Sequence, residues 1–216
     1  MRVTMLSAVL VGLVGSPAVA ADLYVAPVDV VLASTAAHDW SGLYAGLDVG
    51  GKFGGGYIDQ FNDFYYYDGI LAGVHVGYNW QTGSSLVLGL EGDLALYNSW
   101  LSSTNFGAGF SARLNATGSI RARVGVAAGN ALLYGTAGVI AANQTYTPGA
   151  ATPATRTHLG WVAGVGIEYA VDDNWSVRAE YLRFDPGSQT YNVGLGDYQA
   201  DMAAGNIVRA GVSYGF

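Results

Sequence analysis

Residues 160–184 read GWVAGVGIEYAVDDNWSVRAEYLRF, and this stretch decides the fold. Two alternating runs flank a short polar turn, Asp172-Asp173-Asn174. Before the turn, Leu159, Trp161, Ala163, Val165, Ile167 and Tyr169 share one face, and Gly160, Gly164, Gly166 and Glu168 share the other. After it, Trp175, Val177, Ala179 and Tyr181 oppose Ser176, Arg178 and Glu180. Alternation with a period of two over about ten residues predicts a pair of β-strands. One face is wholly apolar with aromatics at its ends, and the other carries ions and glycines. In a soluble sandwich the apolar face would meet a second sheet. Here the other predicted strands repeat the pattern and no segment remains to cover those faces. Lipid is their simplest solvent.

Composition agrees. Glycine (32) and tyrosine (15) are abundant among 216 residues, enough for one domain, and only 12% are charged, against about a quarter in soluble domains. Beyond the amino terminus no run approaches the roughly 18 apolar residues of a membrane helix. A chain that crosses lipid without helices must close into a barrel, because every backbone polar group needs a partner. The absence of cysteine excludes a disulfide framework, a thiolate metal site and the lipidated cysteine of a bacterial lipoprotein. A net charge of −7, with no run of Lys or Arg, argues against nucleic acid as a partner.

Residues 1–20, MRVTMLSAVLVGLVGSPAVA, have a positive start at Arg2, a short apolar core and an A-x-A ending. They predict a signal peptide cut between Ala20 and Ala21. Residues 21–39 contain Pro27 and no regular period, which predicts a periplasmic linker. The barrel is expected over residues 40–216.

The alternation places further strands at about residues 40–50, 69–80, 86–97, 112–127, 131–142 and 205–216. Residues 81–85, 128–130 and 172–174 are short turns, with Gly129-Asn130 a hairpin signal. Residues 51–67, 98–111, 143–156 and 185–203 are long connections. The predicted fold is all-β: an eight-stranded antiparallel up-and-down transmembrane β-barrel, with four long outer loops and short periplasmic turns. Trp40, Trp80, Tyr169, Trp175 and Phe216 fall at the short-turn ends, where an interfacial aromatic girdle belongs.

Several short motifs then carry a likeness to a family. These are Trp40-Ser-Gly-Leu-Tyr-Ala-Gly, Gly89-Leu-Glu-Gly-Asp93, Gly118-Ser-Ile-Arg-Ala-Arg-Val-Gly125, the hairpin over 164–184, and the ending Arg209-Ala-Gly-Val-Ser-Tyr-Gly-Phe216. In this order, over roughly residues 40–216, they resemble the opacity-type, surface-antigen outer-membrane barrels, sometimes labelled porin family. The resemblance implies the outer membrane of a Gram-negative bacterium and a surface-antigen or host- or ligand-contact role, with haem bound by some relatives. No axial-ligand pair supports haem here. It also implies that Phe216, with Tyr214 and Val212 at alternating positions before it, is the signal read by the barrel-insertion machinery. Outer-membrane lipid and lipopolysaccharide are the expected surroundings.

The polar faces gather Asp48, Glu91, Asp93, Glu168 and Glu180 with Arg113, Arg121, Arg123, Arg178 and Arg209. An eight-stranded barrel is just wide enough for its side chains to fill, so these charges would be buried and must pair. The inward glycines leave space for them. A paired network would plug the lumen; the alternative is a narrow porin-like diffusion channel, although a selective constriction more often carries one sign of charge.

Catalytic signals are weak. His38, His75 and His158 do not stand at metal-ligand spacing. His75 reads as a polar lumen residue, with a proton-sensitive gate as the minor reading. His158 beside Thr157 would suit a lipid-modifying barrel enzyme, but a histidine at a loop edge is the plainer reading. There is no nucleophile elbow and no P-loop, so neither an enzyme nor a cofactor is expected. Phe64, Tyr65, Tyr66 and Tyr67 form an aromatic run in the first long connection, a candidate contact for an extracellular ligand. The leading function is structural: envelope integrity, with loops displayed at the surface.

Overall fold

The computed structural model describes residues 38–58, 63–83, 85–103, 111–147, 154–192, 197–201 and 204–216. The expected signal peptide, its cut between Ala20 and Ala21, and the linker as far as residue 37 lie outside them.

Eight strands close a barrel: β1 Gly42–Ile58, β2 Asp63–Thr82, β3 Leu86–Ser103, β4 Ser111–Ala128, β5 Ala131–Thr147, β6 Ala154–Ala170, β7 Trp175–Asp185 and β10 Gly205–Gly215. Each pairs antiparallel with its neighbour in the chain, and β10 closes on β1. A separate ribbon, β8 Ser188–Asn192 with β9 Asp197–Asp201, lies within the connection from β7 to β10. Gly129 sits at φ 61° in the two-residue turn between Ala128 and Ala131, a conformation that glycine adopts without strain.

The alternation read from the sequence sorts side chains between lipid and lumen. On β7 every odd position from Trp175 to Arg183 is exposed and every even one from Ser176 to Phe184 is buried. Leu47, Leu94, Leu96, Ile120, Leu133 and Leu159 are each at least 60% exposed, which is tolerable only for a surface solvated by hydrocarbon. Strand β5 follows suit, with Leu133, Ala137 and Val139 outward and Tyr134 and Thr136 inward.

The register fixes the barrel's geometry. Paired residues lead from Trp175 through Tyr214, Ala45, Val76, Gly92, Ile120, Val139 and Trp161 to Asp185, ten residues further along the starting strand. With strands about 4.8 Å apart and about 3.3 Å per residue, this stagger tilts the strands by roughly 40°.

Three expectations need correction. First, three of the four outer connections are shorter than predicted. Strands β1 to β6 run 17–20 residues, whereas about 9–11 cross a membrane. Backbone pairing continues into water after the apolar alternation stops, so the pattern marks the lipid-facing band and not the strand ends. Phe64, Tyr65, Tyr66 and Tyr67 accordingly stand on β2, paired with β1 and β3 where partners are present. Their side chains are outside the described residues.

Second, Arg113 does not face the lumen. The β4–β5 register shifts between Leu114 and Ala116. This bulge inverts the faces beyond it, so Leu114 is buried and Arg113 and Asn115 are exposed. Third, Trp40 is not in the girdle. Gly42 has φ 124°, and Trp40 folds under the barrel, 6% exposed, with its backbone N–H donating to Gln81 Oε1 at 2.9 Å. Trp80, Tyr169, Trp175 and Phe216 do lie outside. Tyr214 bridges Trp175 and Phe216, 5.1 Å from each ring.

Candidate functional site

The lumen is layered. Toward the short turns, Trp40, Val87, Ala127, Leu132, Tyr134 and Ala170 form one apolar cluster. Toward the outer end, Leu71, Leu114, Ile140, Val162, Leu182, Phe184 and Ile207, with two alanines, form another. Between them lie Asp48, Glu91, Asp93, Arg121, Arg123, Glu168, Arg178, Glu180 and Arg209, each at most 9% exposed.

Pairing is dense. Arg178 grips Asp48 with two hydrogen bonds, Nε to Oδ1 at 3.0 Å and Nη2 to Oδ2 at 2.8 Å, and its Nη1 donates to Glu91 Oε2 at 2.6 Å. Gly211 stands between Asp48 and Arg178 in the same cross-strand row. A methyl group there would overlap Asp48 Oδ1, so the glycine opens the gap that Arg178 spans. Arg121 contacts Glu91, Asp93 and Glu180. Arg209 donates from Nε to Glu180 Oε2 at 2.7 Å. Arg123 donates to Glu168 Oε2 at 2.8 Å and to Tyr44 Oη at 3.0 Å, and lies 3.8 Å from the centre of the Tyr134 ring. Such forked, stacked contacts suit guanidinium and not ammonium.

Hydroxyls and rings complete the shell. Tyr44 donates to Glu91 at 2.9 Å, Tyr134 to Glu180 at 3.2 Å and Ser176 to Glu168 at 2.6 Å, and Ser119 donates to Asp93. His75 lies 2.9 Å from both Asp48 Oδ2 and Ser213 Oγ. Several glycines make room for rings: methyl groups at Gly46, Gly77 and Gly166 would overlap His75, Tyr44 and Tyr134.

With Arg113 outside, five carboxylates meet four guanidinium groups in this layer. Lys52, 1% exposed, adds a cation further out, its Nζ 5.7 Å from the centre of the Phe184 ring. The sequence pattern alone puts Lys52 in the long connection over 51–67. Its parity with Asp48 along β1 was the available signal, hidden by the surrounding glycines. His158 is likewise a lumen residue, fully buried, and not at a loop edge. Thr157 points the opposite way, within reach of Asn143 Nδ2 at 3.3 Å, so the two do not form a dyad. A cavity of about 90 Å³ opens at the periplasmic mouth beside Trp40, Tyr44, Asn79 and Glu168, room for about three waters.

A closed, staggered, lipid-faced barrel with a salt-bridged interior defines a small outer-membrane β-barrel protein. A model of the outer membrane protein beta-barrel domain matches residues 7–216, and the chain belongs to that family. It is 30% identical to the 31 kDa outer-membrane immunogenic protein of Brucella melitensis, over 92% of this chain and 93% of that one. It is 32% identical to the 22 kDa outer membrane protein of Rhizobium leguminosarum bv. viciae, over 83% and 80% of the two chains. Among solved structures, Neisserial surface protein A shares the fold, with a TM-score of 0.51, 15% identity and coverage of 82% of this chain and 98% of that one. The chain is an outer-membrane protein, and its outer connections are presented at the cell surface.

Proposed function

We propose that this barrel acts as a non-conducting, non-enzymatic surface protein that contributes to envelope integrity. The carrying observation is the filled lumen: a salt-bridged layer whose ions are each at most 9% exposed is held between two apolar clusters, which supports a plugged interior. The interior is a core, and what remains to interact is the outer surface. Outer-membrane lipid and lipopolysaccharide are the partners of the wall, and an extracellular ligand would meet the outer ribbons that bear Phe64, Tyr65, Tyr66 and Tyr67. Val212, Tyr214 and Phe216 serve the barrel-insertion machinery. Their outward alternation at the end of β10 supports that role. The narrow diffusion channel draws on the periplasmic cavity, but Arg123, stacked on Tyr134 and bonded to Tyr44, stands in its path inward.

The test is a deletion strain challenged with detergent and bile salts. The deletion strain should be sensitive, and the wild-type protein, and equally Arg113→Ala, should restore resistance. Unchanged resistance in the deletion strain would count against the envelope role.

A further inference from the structure

The outer wall carries a polar cluster where hydrocarbon is expected. Arg183 on β7 is exposed on the lipid-facing side. Its Nη1 donates to Asn206 Oδ1 on β10 at 3.2 Å, and Tyr181 donates to the same oxygen at 2.7 Å. Apolar residues surround the cluster. Phe53 is the cross-strand partner of Asn206, Val208 follows on β10, and Trp161 pairs with Asp185 one outward-facing step beyond Arg183. These three are 44–50% exposed, and Leu159, further out on β6, is 72% exposed. Arg183 therefore lies in the outer half of the apolar band and not above it. A lipid-facing arginine is unfavourable at such depth unless its donors are met. A guanidinium has five, and among the described residues the bond to Asn206 is the hydrogen bond Arg183 makes. Asp185, next outward on the same face, has Oδ1 occupied by the Gly187 N–H at 2.9 Å.

We propose that Arg183, held by Asn206 and Tyr181, is a binding site for a phosphate group of the phosphorylated glycolipid of the outer leaflet. The Asn206 carbonyl fixes one edge of the guanidinium and leaves the other to a phosphate oxygen pair, the planar fork's preferred partner. The acyl chains of that lipid would lie along Val165 and Val208, on the membrane-centre side of Arg183. The proposal names a site for the lipid partner suggested above, and its failure would leave the sealed lumen untouched.

The test uses the refolded protein in nanodiscs doped with bisphosphorylated lipid A, dephosphorylated lipid A or phosphatidylglycerol, with retained lipid counted by native mass spectrometry. Folding of each variant is verified by heat-dependent gel mobility. Wild type should retain bisphosphorylated lipid A about tenfold better than the dephosphorylated form, and Arg183→Ala should abolish that preference, with Arg183→Lys restoring part of it. Arg113→Ala should keep it. Equal retention by wild type and a folded Arg183→Ala would overturn the site. Equal retention of phosphatidylglycerol by wild type would overturn its assignment to the glycolipid.

Discussion

Replacing Glu91 with alanine is expected to destabilise the folded barrel by about 3–5 kcal/mol, the usual consequence of leaving a buried charge without its partner. Glu91 is the hub of the lumen. It accepts from Arg178 at 2.6 Å and from Tyr44 at 2.9 Å, contacts Arg121, and lies 3.7 Å from Arg123 and 3.6 Å from Arg209. Its loss leaves several guanidinium groups, each at most 4% exposed, short of a partner. Glu91→Gln keeps the volume and removes the charge, so it should retain little of the lost stability. Replacing both members of one contact, Glu91→Leu with Arg178→Met, should cost less than the sum of the single changes, because each single change leaves the other buried ion short of a partner. Urea unfolding in lipid vesicles, followed by tryptophan fluorescence, reads these differences. Arg113→Ala, on the outside, should leave the midpoint unchanged; a Glu91→Ala protein with the wild-type midpoint would mean that the network is not a core.

Gly138→Ala should be as damaging for a different reason. Gly138 faces inward on β5, opposite Arg121. A methyl group there would overlap the Ile120 carbonyl oxygen and crowd the Arg121 Cα and Ile120 carbonyl carbon, all backbone atoms. Side chains can turn away from an intruder, but a strand within a closed barrel cannot move without breaking its ladder. The expected cost exceeds the roughly 1–3 kcal/mol of ordinary overpacking, and refolding yield should fall sharply. Gly135→Ala is the control. That glycine faces lipid, its nearest neighbour would be the Gly164 carbonyl oxygen at 3.9 Å, and normal refolding is expected. Comparable yields for Gly138→Ala and Gly135→Ala, measured by heat-dependent gel mobility, would refute the packing argument.

Most of the wall was legible in the sequence because lipid on one side and ions on the other impose strict alternation. The hairpin over 160–184 needs no structure to sort its faces. Strand ends were not legible, because backbone pairing persists through Lys52 and the adjoining glycines, where alternation has ceased. Arg113 was misplaced because the bulge at Asn115 leaves no mark in residue types, yet it reverses everything beyond it. Trp40 was misplaced because a turn at Gly42, and not parity, sets its direction. The individual ion pairs were also hidden. Asp48 and Arg178 are 130 residues apart and meet across Gly211 only once the ten-residue stagger of closure is known. Composition could say that acids and arginines share the lumen, but not which of them touch.

The central claim is that the lumen is a sealed, salt-bridged core, and single-channel recording of the refolded barrel in a planar bilayer tests it most directly. Wild type should insert without conductance steps, and Arg121→Ala/Arg123→Ala should lose stability before it gains any opening. Reproducible wild-type steps that the double substitution alters, in protein verified as folded, would contradict the account and make the same charges the lining of a pore.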